Sequence, residues 1–99
     1  GTITPFNGCK GYFTEARDAA RKTVNEWIRT NHDIDGFIDF DALMRDPSSP
    51  DRLRKDCQIG DWLHPNPKGY KMMGEYAAER LEEMNVPTPS NQRSLIERK

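Results

Sequence analysis

The chain has 99 residues, of which 34% are hydrophobic, and a mean hydropathy of -0.93, so it allows one small domain with thin material for an independent core. Its 15 basic and 16 acidic residues give a net charge of -1 without a block of like charge, which argues against a nucleic-acid or anionic-membrane binder. No apolar run approaches the roughly 20 residues of a membrane span, and the first residues lack the regions of a signal peptide.

The first residues predict a β-strand. The β-branched residues Thr2, Ile3 and Thr4 precede Pro5, a pattern that indicates a strand ending at the proline. On this interpretation the chain starts within a strand, and we expect the rest of its sheet to come from upstream sequence or another chain. Residues 6–11 are rich in turn formers and predict a loop.

A helix is predicted from Thr14 to about Asn31. Apolar residues recur along it at three- and four-residue spacing, namely Phe13, Ala16, Ala20, Val24, Trp27 and Ile28. We expect this stripe to cover a sheet, with Trp27 contributing to packing rather than to ligand binding.

A second short strand is predicted at residues 36–40. A helix between two strands favours a parallel crossover, and hence a layered α/β sheet. Two parallel strands alone would leave both faces exposed, so we expect further strands from sequence outside this chain.

The same stretch suggests an alternative function in calcium binding. Its residues follow the spacing of an EF-hand loop at Asn31, Asp33, Asp35, Gly36, Ile38 and Asp39. The twelfth position is Ala42, which offers no bidentate carboxylate, and Pro47 shortens the helix that should follow. A degenerate calcium-binding segment is therefore the weaker alternative, and the aspartates are better explained as caps of the strand and of a short turn at residues 41–45.

The second half of the chain predicts a long irregular segment followed by a helix. Residues 46–51 contain two prolines, and residues 52–59 show no clear periodicity. Asn66 followed by Pro67 is typical of a helix N-terminus, and the helix has an apolar stripe of Tyr70, Met73, Ala77, Leu81 and Met84. Residues 86–99 predict an extended linker and a charged tail, which leaves residues 1–85 for the domain.

The two cysteines, Cys9 and Cys57, are far apart in sequence and belong to no Cys-x-x-Cys pair. With only His32 and His64 as further soft ligands, this pattern argues against a structural zinc site and leaves a disulfide open. A nucleophilic role for Cys57, upstream of His64, is the less favoured interpretation, because a buried or idle thiol explains it as well.

An acid and a histidine, Asp61 and His64, stand just ahead of the last predicted helix. A carboxylate three residues from an imidazole can accept its Nδ1–H, fix the tautomer and stabilise the imidazolium formed when Nε2 takes a proton. The spacing alone fits equally a loop histidine that makes local hydrogen bonds.

The residues around this pair resemble a known family. Asp61-Trp62-Leu63-His64-Pro65-Asn66 with Gly69-Tyr70 resembles the last sequence block of the SGNH (GDSL) hydrolases, whose Asp-x-x-His supplies the acid and base of a catalytic triad. Residues 2–6 with 15–17, then 24–29, then 35–41 resemble, in order, the C-terminal half of the same family. The resemblance covers about residues 2–84 and favours a catalytic pair over a local hydrogen bond.

The resemblance implies a three-layer α/β/α fold, similar to flavodoxin-like sheets, of which residues 1–85 would form the C-terminal half. Asp61 and His64 would serve a serine esterase or lipase that acts on acylated sugars, lipids or small esters without a metal or organic cofactor. Trp62 and Leu63 are candidates for the wall of its acyl pocket. Secretion is consistent with the resemblance.

The chain lacks other parts of the family's pattern, since neither Gly-Asp-Ser nor Gly-x-Asn-Asp occurs in it. Its serines, Ser48, Ser49, Ser90 and Ser94, lie in breaker or tail sequence without the strand-to-helix elbow of a nucleophile. We expect the nucleophile and oxyanion hole to lie on a missing N-terminal half, and the 99-residue chain alone to be inactive.

Overall fold

A computed structural model describes residues 1–84 of the chain. It contains three α-helices, α1 (Glu15–Thr30), α2 (Phe40–Met44) and α3 (Pro67–Glu83). A hairpin of β1 (Arg45–Asp46) and β2 (Ser49–Leu53) follows α2, and a 3₁₀ helix (Lys55–Cys57) leads towards α3. This mixture of helices and a small sheet is compatible with an α/β fold. The predicted linker and tail lie outside the described residues.

The two long helices begin where the sequence predicts. Thr14 caps α1 by accepting a hydrogen bond from the Arg17 backbone N–H at 3.0 Å. Asn66 caps α3 by accepting from the Gly69 N–H at 2.8 Å, and Pro67 occupies the first helical position. The boundaries of both predicted helices are therefore confirmed.

The buried face of α1 differs from the prediction. Within residues 1–84 the predicted stripe is largely exposed, with Val24 at 41% and Trp27 at 61% of their full accessible surface. The buried residues are instead Asp18, Arg21 and Asn25. Within residues 1–84 the expected packing of Trp27 is therefore not seen, because α1 is attached to its neighbours through polar groups.

An ion-pair network provides that attachment. The guanidinium of Arg21, which is 4% exposed, donates to Asp18 Oδ1 at 3.1 Å and to Asp41 Oδ1 at 2.9 Å. Further along α1, Arg29 donates to Asp41 Oδ2 and to both oxygens of Asp39, each at 2.9 Å. The two arginines of α1 therefore fix the start of α2, and each buried charge has a partner.

Asp39 connects this network to the first residues of the chain. Its Oδ1 accepts from the Ala42 N–H at 3.1 Å, which caps α2, and from the Thr2 hydroxyl at 2.9 Å. Burial raises the pKa of Asp39, but the hydrogen bonds from Arg29, Ala42 and Thr2 outweigh it and lower that pKa to about 2. The expected capping role of an aspartate here is confirmed.

Neither predicted strand forms in the described residues. Residues 2–4 and 36–39 carry no strand, and Phe40 already begins α2. The two segments share one backbone hydrogen bond, from Thr2 N to Ile38 O at 3.0 Å, while Asn25 uses its side chain to hold both the N–H and the C=O of Ile3. The prediction fails for two reasons. The backbone N–H and C=O of Ile3, which strand pairing would require, are bound by the Asn25 side chain, and the second segment ends where α2 begins at Phe40.

The observed sheet is the antiparallel hairpin, which lies largely in the segment predicted to be irregular. Arg45 pairs with Leu53 and Asp46 with Ser49, with a bulge between them. Asp46 Oδ1 accepts from the Ser48 N–H at 2.8 Å and stabilises the turn. Pro47 and Pro50 led to the prediction of an irregular segment. In a two-stranded sheet both strands are edge strands, where proline is tolerated, so the hairpin forms despite them.

A small apolar core lies between the hairpin and α3. Met44, Leu53 and Cys57 are buried, and they contact Leu43, Met72 and Met73. Gly69 allows this packing, because a β-carbon at its position would lie 2.5 Å from Cys57 O. Of the predicted stripe, Met73 packs against this core and Ala77, Leu81 and Met84 are half-buried, whereas Tyr70 is 57% exposed.

Within residues 1–84, no helix is both long enough and apolar enough to cross a bilayer.

We expect Arg21→Met to destabilise the protein by about 3–5 kcal/mol, since it leaves the buried carboxylates of Asp18 and Asp41 short of a cation. The control is Lys71→Met, which removes the exposed i,i+4 pair with Glu75 and should cost less than about 0.5 kcal/mol. Urea unfolding followed by circular dichroism measures both values. Equal losses in the two variants would contradict the structural role of the network.

Candidate active site

Asp61 and His64 lie in a loop that connects the 3₁₀ helix to α3. The two ends of the loop pair with each other: Gln58 and Pro65 form an antiparallel bridge, Ile59 N donates to His64 O at 3.1 Å, and Asn66 N donates to Cys57 O at 3.0 Å. Because Asn66 also caps α3, the loop is joined directly to the helix start. This arrangement fixes both ends of the segment that carries the pair.

The structure brings the two side chains together. Asp61 Oδ2 lies 2.5 Å from His64 Nδ1, and Asp61 Oδ1 accepts the backbone N–H groups of Leu63 at 3.0 Å and His64 at 2.9 Å. A carboxylate can only accept, so this contact places the imidazole proton on Nδ1. Nε2 of the neutral ring is then free to act as a base.

The hydrogen bonds hold Asp61 in its ionised form. The side chain of His64 is the largest cause, and with the two backbone N–H groups it lowers the pKa of Asp61 from 3.8 to about 2. The side chain of His64 is 59% exposed and that of Asp61 is 36% exposed. Within residues 1–84 the pair thus lies on an open surface, accessible to a reacting group.

Trp62 and Leu63, the candidates for a pocket wall, have different positions. Leu63 is half-buried, and its backbone N–H is bound by Asp61. Trp62 has a positive φ of 59° and contributes to a cavity of about 470 Å³ lined by Gly8, Cys9, Lys10, Gly60, Asp61 and Trp62 itself. Trp62 therefore borders open space beside Asp61.

Three residues that no motif predicted, Arg52, Gly8 and Gln58, hold this loop. The guanidinium of Arg52 lies 4.5 Å from the centre of the Trp62 ring, a cation–π contact. A β-carbon on Gly8 would lie 3.0 Å from Trp62 Cγ, so the ring packs directly against the Gly8 backbone. Gln58 Oε1 accepts from the N–H groups of Gly60 and Trp62. For Gly8, the glycines at positions 8 and 11 could have indicated a loop that another chain segment approaches closely. No sequence pattern pointed to Arg52 or Gln58.

The structure does not favour the alternative function in calcium binding. Asn31 Oδ1 accepts from the Asp33 N–H at 2.9 Å, and Asp39 is bound by Arg29. Across residues 1–84, no three His, Cys, Asp or Glu side chains are grouped so that they could hold a metal ion. Asn31 therefore stabilises the turn, and Asp39 belongs to the ion-pair network.

The cysteines and the described serines offer no nucleophile beside His64. Cys9 and Cys57 are buried free thiols, so they form no disulfide with each other. Burial and the neighbouring Asp56 carboxylate raise the pKa of Cys57, the opposite of what a thiolate nucleophile needs. Ser48 and Ser49 are exposed residues of the hairpin. Ser90 and Ser94 lie outside the described residues.

Comparison with known proteins agrees with the motif. The family model for GDSL-like lipase/acylhydrolase matches residues 2–77, which include the whole Asp61–His64 loop and the first part of α3. Among curated proteins, none matches the chain. Because the family match spans well over half of the 99 residues, this chain belongs to the GDSL-like lipase/acylhydrolase family of hydrolases.

Proposed function

We propose that the chain supplies the triad acid and base of a serine ester hydrolase, with His64 as the base and Asp61 as its partner. The observation that supports this role best is the 2.5 Å contact between Asp61 Oδ2 and His64 Nδ1. It is the acid–base half of a Ser-His-Asp arrangement, in a loop that lies within the family match.

The proposed chemistry is acyl transfer through a serine outside these 99 residues. His64 Nε2 takes the proton of the serine hydroxyl while its oxygen attacks the ester carbonyl, and then returns that proton to the leaving alcohol. Asp61 keeps the Nδ1 tautomer and balances the imidazolium charge. Water then attacks the acyl-enzyme by the same proton transfers and releases the carboxylic acid.

The proposal includes an upstream half-domain that completes a three-layer α/β/α fold. Two features of the described residues support it. The exposed apolar stripe of α1, with Val24 and Trp27, offers a face for a sheet, and one backbone hydrogen bond, from Thr2 N to Ile38 O, joins the two segments predicted as strands. The same half would carry the serine and the oxyanion-hole donors. Each oxyanion-hole donor typically contributes about 10²–10³ in rate.

The substrate in this proposal is an ester of a sugar, a lipid or a small alcohol. Trp62 beside the cavity at Gly8 and Lys10 could form one wall of an acyl pocket. The reaction requires no metal or organic cofactor.

In a complete enzyme that carries the nucleophile, we expect His64→Ala to lower kcat by about 10⁴-fold or more while leaving the fold intact. Asp61→Asn should cause a loss of comparable order, because an amide N–H facing Nδ1 favours the wrong tautomer. Hydrolysis of p-nitrophenyl acetate measures both. His32→Ala is the matched control and should retain wild-type kcat. Wild-type kcat in His64→Ala would refute the role of His64.

We expect the Asp61 carboxyl carbon to titrate by NMR near pH 2, well below the ordinary 3.8. In His64→Ala its pKa should rise towards 3.8, since the largest cause of the shift is removed, while the remaining backbone N–H bonds hold it slightly lower. A folded-state pKa below the unfolded value means that ionised Asp61 stabilises the fold above about pH 4 and that this contribution is lost as the pH falls towards 2. An Asp61 midpoint that is unchanged by His64→Ala would contradict the hydrogen bond.

A further inference from the structure

The loop between Gln58 and Pro65 has an unusual distribution of backbone hydrogen bonds. Gly60 N donates to Gln58 Oε1 at 2.6 Å and Trp62 N donates to the same oxygen at 3.0 Å. Leu63 N and His64 N donate to Asp61 Oδ1. Two side-chain oxygens therefore hold the tip of the loop, Gln58 the first part and Asp61 the second.

The orientation of the Gln58 amide follows from its partners. Both backbone N–H groups can only donate, so the atom that they share must be the carbonyl oxygen. The amide nitrogen points the other way and donates to Lys55 O at 3.4 Å, within the preceding 3₁₀ helix. Gln58 thus connects the loop tip to the helix that leads into it.

Trp62 shows why the loop needs this support. Its φ of 59° is uncommon for a bulky residue, and such a conformation typically costs about 1–3 kcal/mol unless the surroundings enforce it. The Trp62 N–H is held by Gln58, and its ring contacts Arg52 and Gly8. Trp62 directly precedes Leu63 and His64, whose N–H groups donate to Asp61 Oδ1.

We infer that Gln58 is a positioning residue for the Asp61–His64 pair. Its carbonyl oxygen keeps Gly60 and Trp62 in the conformation that places Asp61 Oδ2 against His64 Nδ1. Loss of this acceptor leaves both N–H groups without a partner, and Trp62 then relaxes to a negative φ, which separates Asp61 from His64. The catalytic part of this inference rests on the proposed function; the geometric part does not.

The first test is proton NMR of the full chain, following the Nδ1–H resonance of His64, which a short bond to a carboxylate shifts downfield. The chain has 2 histidines, so His64→Ala assigns the signal. Gln58→Met has nearly the same shape but no strong acceptor, and the downfield signal should disappear or move upfield. Gln58→Glu retains an acceptor and should restore it.

A matched control separates this effect from the general loss of a turn. Asn31 Oδ1 also accepts a backbone N–H, that of Asp33, at a turn beyond the end of α1. Asn31→Leu should leave the His64 signal unchanged. If Gln58→Met fails to fold, Gln58→Asn withdraws the acceptor by one methylene without adding an apolar group, and the same loss is expected.

The second test is kinetic and uses a complete enzyme that carries the nucleophile. Gln58→Met should lower kcat by about 100-fold with little change in KM, because a misplaced base affects the chemical step. A wild-type His64 resonance and an unchanged kcat in Gln58→Met would overturn the inference, as would an equal response in Asn31→Leu. If the resonance responds as expected but the wild-type protein hydrolyses no ester, the proposed function fails and the positioning of His64 by Gln58 stands.

Discussion

The carboxylate of Asp41 is the point at which the described chain is held together. It receives Arg21 on one oxygen and Arg29 on the other, each at 2.9 Å, and is itself 4% exposed. Both arginines belong to α1, and Asp41 is in the first turn of α2, so one buried acid fixes two helices. The apolar core is limited to a few residues around Met44 and Leu53, so α1 is joined to α2 by this polar contact rather than by that core.

The Asp61–His64 loop depends on a different set of interactions. Its ends are paired near Cys57 and Asn66, and its tip is held by the side chains of Gln58 and Asp61. These contacts are local, and the longer-range contacts of Trp62 with Arg52 and Gly8 also involve no residue of the network around Asp41. A hydrolase can in this way keep its acid–base pair preorganised on one part of the chain while the nucleophile comes from another.

The sequence predicted the parts of the structure that short-range chemistry determines. Thr14 and Asn66 marked the helix starts because capping is a contact between residues three apart, and the Asp61–His64 contact follows from a similar spacing. The buried face of α1 was wrong because Arg21 and Asn25 find their partners at Asp41 and Ile3, which no periodicity reveals. The role of Gln58 was missed for another reason: a helix cap has a preferred residue type and position, whereas a glutamine that accepts backbone N–H groups within a loop has neither.

The central claim is that Asp61 and His64 activate a serine that lies outside these residues, and fluorophosphonate labelling of the protein from its natural source tests it most directly. The labelled species should be identified by intact mass and the labelled residue by peptide mapping. The account predicts a label on a serine beyond residues 1–99, in a species that contains this chain. An unlabelled protein, or a label on any serine of residues 1–99, would contradict it.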